Sequence, residues 1–150
     1  IIDIAENDKN AQIDAIIMLI ESGRESDMIR EKIPIWLEQE NPQMVKSIIH
    51  SLKDKKWSEM ENLTKAIINS SNDKLISGIL RRNNTIEANE LRKEILIDEK
   101  RSNVLRARII EDLFGKKQKD EVLIKIITDL QNSESESISN SAQMFMKSIE

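Results

Sequence analysis

Residues 72–103 read NDKLISGILRRNNTIEANELRKEILIDEKRSN, and this stretch decides the fold. It opens on Asn72 and closes on Asn103, a step of 31 residues (103 − 72) that also separates Asn10 from Asn41 and Asn41 from Asn72. An isoleucine follows each Asn seven residues on (Ile17, Ile48, Ile79, Ile110), and a second short polar residue follows seventeen on (Asp27, Ser58, Asn89, Asp120). A fixed period of this size marks stacked supersecondary units.

Each Asn stands where a helix N-cap is needed, with a side-chain oxygen able to accept from an orphan backbone N–H. Pro42 follows Asn41 at the first helical position, where its missing N–H costs nothing. Apolar residues come next at helical spacing: Ile13, Ile17 and Ile20; Met44, Ile48 and Leu52; Leu75, Ile79 and Leu80; Leu105, Ile109, Ile110 and Leu113. These predict amphipathic first helices. Gly115 and the residues up to Lys119 then supply a C-terminal stop. The second caps open second helices, whose columns are Ile29, Met60, Leu91, Val122; then Ile33, Thr64, Ile95, Ile126; then Leu37, Ile68, Glu99, Leu130. A spacing of four puts each set on one helix face, where the neighbouring unit can cover it.

The expected architecture is all-α, a right-handed α-solenoid of helix pairs repeating every 31 residues, with a compact helical bundle as the alternative. One helical-repeat domain over residues 1–150 is expected, with units near 10–40, 41–71, 72–102 and 103–134 and a final cap helix at 135–150. Ser135 is placed to cap that last helix, which carries Ile138, Ala142, Phe145 and Ile149 among Ser, Asn, Gln and Lys, as a solvated end requires. Ile2-Asp3-Ile4 falls in the register of Ile33-Pro34-Ile35, so the chain is expected to start inside a second helix and to be a piece of a longer one. Pro34 should kink its helix or shift its start.

Helix pairs of this length and register resemble the short HEAT-like class of α-solenoids over residues 10–130. The fuller HEAT pattern has a Pro in the first helix and recurrent Asp and Arg, whereas this chain has Pro only at 34 and 42 and no Arg column. The resemblance is to an architecture, and it carries over no functional residues.

Composition narrows function by exclusion. Apolar content of 39% is enough for a core, and three Gly with two Pro argue against an all-β fold. The absence of Cys removes disulfides, thiol catalysis and Cys-based zinc sites. No apolar run approaches the roughly 20 residues of a membrane span, and no signal-peptide pattern is visible, so a soluble, cytoplasmic chain without membrane insertion is expected. His50 is the only histidine, two residues past Ile48 on an amphipathic helix, and reads as a helix-surface or partly buried side chain. Gly23, Gly78 and Gly115 are too far apart to form a phosphate loop. Carboxylate pairs such as Asp98-Glu99 and Glu111-Asp112 are ordinary for solvated helix faces in a chain with 33% charged residues. The expectation is no enzyme, no metal and no cofactor.

Glu99 and Arg106 break the repeat. Glu99 stands where Leu37, Ile68 and Leu130 stand in their units, and Arg106 where Ile13, Met44 and Leu75 do. Either the two charges pair across the turn between helices, because an unpaired buried charge is expensive, or the helices rotate and both reach water. A basic surface is the second feature: Arg81-Arg82, then Lys100, Arg101, Arg106, Arg108, Lys116, Lys117 and Lys119 against Glu111 and Asp112. It could hold nucleic acid. Against this, the net charge is −4 and residues 1–50 carry ten acidic side chains to five basic. Trp36 adjoins Leu37, and Trp57 precedes Ser58; each reads as core or staple packing, or if exposed as an interface anchor. The resulting expectation is a protein–protein interaction or scaffold module binding a partner helix or segment on the solenoid face, with Trp36, Trp57, Arg81, Arg82, Arg101 and Arg108 as candidate contacts. The alternative is a nucleic-acid-binding domain using the basic surface from Arg81 and Arg101 to Lys119.

Overall fold

The computed structural model describes residues 72–149 continuously, together with residues 8, 11, 12, 14, 15, 18, 35, 43, 50, 67 and 68. Trp36, Trp57, Pro34 and the expected caps Asn10, Asp27, Asn41 and Ser58 lie outside the described residues. The chain divides into two compact units, Ile1–Ile79 and Leu80–Glu150. In the first, Ala15, Ile67 and Ile68 are buried, whereas His50 is exposed. All regular structure among the described residues is helical, and no described helix is long and apolar enough to cross a membrane.

Helix α1 (Asp73–Arg81) starts as the repeat predicts: the Leu75 N–H donates to Asn72 Oδ1 at 3.2 Å. Its buried apolar side chains, Leu75, Ile76, Ile79 and Leu80, fall on one stripe at helical spacing.

Helix α2 (Ile86–Ile97) starts earlier than the repeat predicts. Thr85, and not Asn89, is its N-cap, with Thr85 Oγ1 accepting from the Ala88 N–H at 3.2 Å. Asn89 lies inside the helix and is buried. Thr85 lies close enough to capture a first-turn donor, and the inward stripe of the helix is Ala88, Arg92, Ile95 and Leu96. Of the predicted column, only Ile95 is fully covered; Leu91 is half-buried and Glu99 exposed.

Helix α3 (Asn103–Glu111) begins one residue earlier than expected, with its cap at Ser102 instead of Asn103. Ser102 Oγ accepts from the Leu105 N–H at 3.1 Å, so Asn103 is the first helical residue. Beyond Glu111 the chain turns through Gly115, whose φ of +68° is the left-handed backbone that favours glycine. Helix α4 (Glu121–Asp129) is capped by Asp120 as expected, Oδ1 accepting from the Leu123 N–H at 3.0 Å. Its buried residues are Leu123 and Ile127; the predicted core position Val122 is 58% exposed, because the inward stripe sits one residue later. A short 3-10 turn (Leu130–Asn132) leads to α5 (Glu136–Ile149), which buries Ile138, Ala142 and Phe145. Ile149, expected on the same stripe, is partly exposed at the end of the helix.

Within the second unit, α2 packs on α3 and α4, and α5 packs on α3 and α4. The core they close is made of Ile95, Leu96, Leu105, Ile109, Ile110, Leu123, Ile127, Ile138 and Phe145. Each such aliphatic or aromatic side chain contributes about 1.5–3 kcal/mol on full burial. Two arginines enter this interior and serve the ends of helices. Arg106 donates from Nε and Nη2 to the Leu96 carbonyl at 3.0 and 2.7 Å, near the C-terminus of α2. A cation there satisfies a carbonyl and complements the helix dipole.

Candidate functional site

The most polar interior group of the second unit is Arg92. It is fully buried and donates from Nη1 to Asn89 Oδ1 at 2.7 Å and from Nη2 to the carbonyls of Leu80 and Asn83. Burial pushes its pKa down to about 10, partly offset by the charge of Asp112. Arg92 thus ties the end of α1 to α2 and holds the Asn89 carboxamide in one orientation.

That orientation passes to the α3–α4 loop. Asn89 Nδ2 donates to Gln118 Oε1 at 3.3 Å. The same oxygen accepts from the backbone N–H groups of Lys119 and Asp120 at 3.0 and 3.1 Å. Asp120 also pairs with Lys93 at 3.3 Å, and Lys93 bonds Glu90 at 2.6 Å. The Asp120 carboxyl lies below the usual carboxylate range, chiefly because the Leu123 N–H donates to it. Lys93 lies above the usual lysine range, first through its bond to Glu90.

A second cluster centres on Asp112. Arg81 pairs with it at 3.6 Å, and Lys116 Nζ donates to the Arg81 carbonyl at 2.9 Å. Burial pushes the Asp112 carboxyl up, while Arg81, Lys116, Arg108 and Arg92 pull it down. Burial likewise lowers Lys116, with repulsion from Arg92 and Arg81 adding to it and attraction from Asp112 opposing. Between the start of α2 and residues 116–120 lies a cavity of about 350 Å³, open to solvent, with Asn84, Ile86 and Asn89 on its other wall.

The predicted contact residues separate accordingly. Arg81 and Arg108, distant in sequence, both act on Asp112. Arg82 is exposed. Arg101 pairs locally with Asp98 at 3.7 Å in the α2–α3 turn. Glu99 and Arg106 do not form an ion pair among the described residues: Arg106 is buried against Leu96 and Glu99 is at the surface. Neither expected arrangement holds, because a backbone carbonyl takes the role assigned to the carboxylate. The sequence pattern marks Asn89 only as a helix cap and marks neither Arg92 nor Gln118 as a site residue. The signal for Arg92 was its place between Ala88 and Ile95, four after one and three before the other, on an apolar stripe.

Among the described residues no group of three or more His, Asp or Glu could hold a metal ion. No protein-family model, curated protein or solved structure matches this chain.

Proposed function

We propose that the chain is a protein–protein interaction module of helical-repeat type, a scaffold that binds a segment of a partner protein at the face carrying the Asp112 cluster and the neighbouring cavity. The observation that carries this reading is the seating of carboxylates among the cations. Arg81 and Lys116 gather around Asp112, Lys93 is shared by Asp120 and Glu90, and Arg101 is held by Asp98. A surface that follows a phosphate backbone needs cations with little opposing charge along the track. A protein partner is better matched by interspersed signs, which set register and exclude wrong partners.

The solenoid arrangement is supported within the second unit by contacts that recur near one period. Asn89 meets Gln118, 29 residues away, and Ser141 donates to Glu111 at 3.0 Å, 30 residues away. Helix α3 packs on α5 and α2 on α4, in each case an element and its counterpart one repeat on. Such stacking exposes a long face for a partner segment. The nucleic-acid reading draws on Lys116, Lys117 and Lys119 with Arg81, and the embedded acids weigh against it.

The test is capture from native lysate on the immobilised chain, with and without nuclease, read by mass spectrometry. Specific proteins retained after nuclease treatment and released by salt are the expected result. Recovery of nucleic acid alone, with every protein lost on nuclease treatment, would overturn the proposal.

A further inference from the structure

The cavity beside residues 116–120 has an imbalance of donors and acceptors. Apart from the Asn84 carboxamide oxygen, its side-chain acceptors are engaged. Gln118 Oε1 takes three donors, Asn89 Oδ1 takes Arg92, and the Asp120 oxygens take the Leu123 N–H and Lys93. Its donors are left over. The ammonium groups of Lys117 and Lys119 have no partner among the described residues, and neither does the carboxamide of Asn84. Because Oε1 of Gln118 is fixed by its three donors, its Nε2 group is the end left to a ligand. Three lysines against one aspartate leave the lining with a net charge of +2 (3 − 1). A group that satisfies these donors must accept hydrogen bonds and carry negative charge.

We propose that this cavity receives a carboxylate side chain from an acidic segment of a partner protein, held by Lys117, Lys119, Gln118 Nε2 and Asn84. The inference rests on the interaction-module reading and adds the chemistry of the partner. A volume of about 350 Å³ suits one side chain and its neighbours. Ile86 on the wall is 78% exposed, so an aliphatic residue beside the acid gains an apolar contact there.

The test uses the full chain, isotope-labelled, with a short fluorescein-labelled peptide alternating Glu and Leu as the probe. Anisotropy gives affinity, and the side-chain amide signals of Gln118 and Asn84 in a ¹⁵N correlation spectrum give location. The expected result is binding that moves both signals and weakens about tenfold in the Lys117→Gln/Lys119→Gln double variant, a few-fold for each exposed charge. Both lysines are exposed, so the variant keeps its fold, checked by an unchanged spectrum elsewhere. Equal peptide affinity in the variant, or movement confined to other residues, would overturn the site. Tighter binding of an oligothymidine that moves the same two signals would overturn the acidic-peptide occupant. If the peptide does not bind but lysate proteins are still captured, the cavity assignment fails alone; if neither occurs, the module reading fails with it.

Discussion

Arg92→Met should destabilise the second unit by about 3 kcal/mol. The substitution keeps an unbranched stem in the core and removes the guanidinium, which is fully buried and donates to Asn89, Leu80 and Asn83. Three charge-assisted bonds at about 2 kcal/mol each amount to roughly 6 kcal/mol. Against that, holding the charge inside lowers its pKa to about 10, a cost on the order of 3 kcal/mol that the variant no longer bears. The difference, about 3 kcal/mol, corresponds to a fall in melting temperature of roughly 6–12 °C for a chain of this size. Urea unfolding followed by circular dichroism should show a lower midpoint with an unchanged slope. Arg92→Lys should be no more stable than the Met variant, because it keeps a buried charge but loses the planar fork. A Met variant as stable as the wild type would refute the reasoning, since burial of the charge would then cost as much as its bonds contribute.

Three further outcomes follow from the geometry. Thr85→Ala should cost about 1 kcal/mol as the loss of a true cap, measured by the same urea titration; if Asn89 were the cap, the change would be near neutral. Asp120→Asn can still cap α4 but loses its charge beside Lys93. Because the folded carboxyl lies below its ordinary value, its charge stabilises above the usual carboxylate range, and that contribution is lost as pH falls through the lowered value. The wild type should therefore be the more stable at pH 7, with the two midpoints converging on acidification; a gap that widens in acid contradicts the assignment. Glu99→Leu should change stability by less than about 0.5 kcal/mol, as an exposed site does. Its double-mutant cycle with Arg106→Met should show coupling under about 0.5 kcal/mol, where a larger value would reinstate an ion pair.

The helical class, the last helix and the caps at Asn72 and Asp120 were legible in the sequence because one residue type serves one geometric need at a regular interval. Asn89 and Asn103 misled for the opposite reason. The chain is rich in short polar residues, and Thr85 and Ser102 stood close enough to take the first-turn N–H groups. Starting α2 at Thr85 instead of Asn89 adds about one turn at its N-terminus and ends the helix at Ile97, so Arg92 lies inside the helix on the buried stripe and Glu99 falls beyond its end, exposed. Arg106 was identified as a break in the pattern, but its partner was not, since a pattern of side chains does not show which backbone carbonyl lies opposite. The clustering of Arg81 and Arg108 around Asp112 was visible only as a shared excess of positive charge. The donor surplus of the cavity was not legible at all, because it depends on which atom of Gln118 is already occupied.

The central claim is that acids embedded in the basic face turn it toward protein and away from phosphate. Affinity for a labelled single-stranded oligonucleotide, measured across a range of salt, tests it most directly. Weak binding is expected, with a logarithmic slope that corresponds to fewer than about two phosphates neutralised. A slope corresponding to about five or more, with a dissociation constant in the nanomolar range at physiological salt, would contradict it.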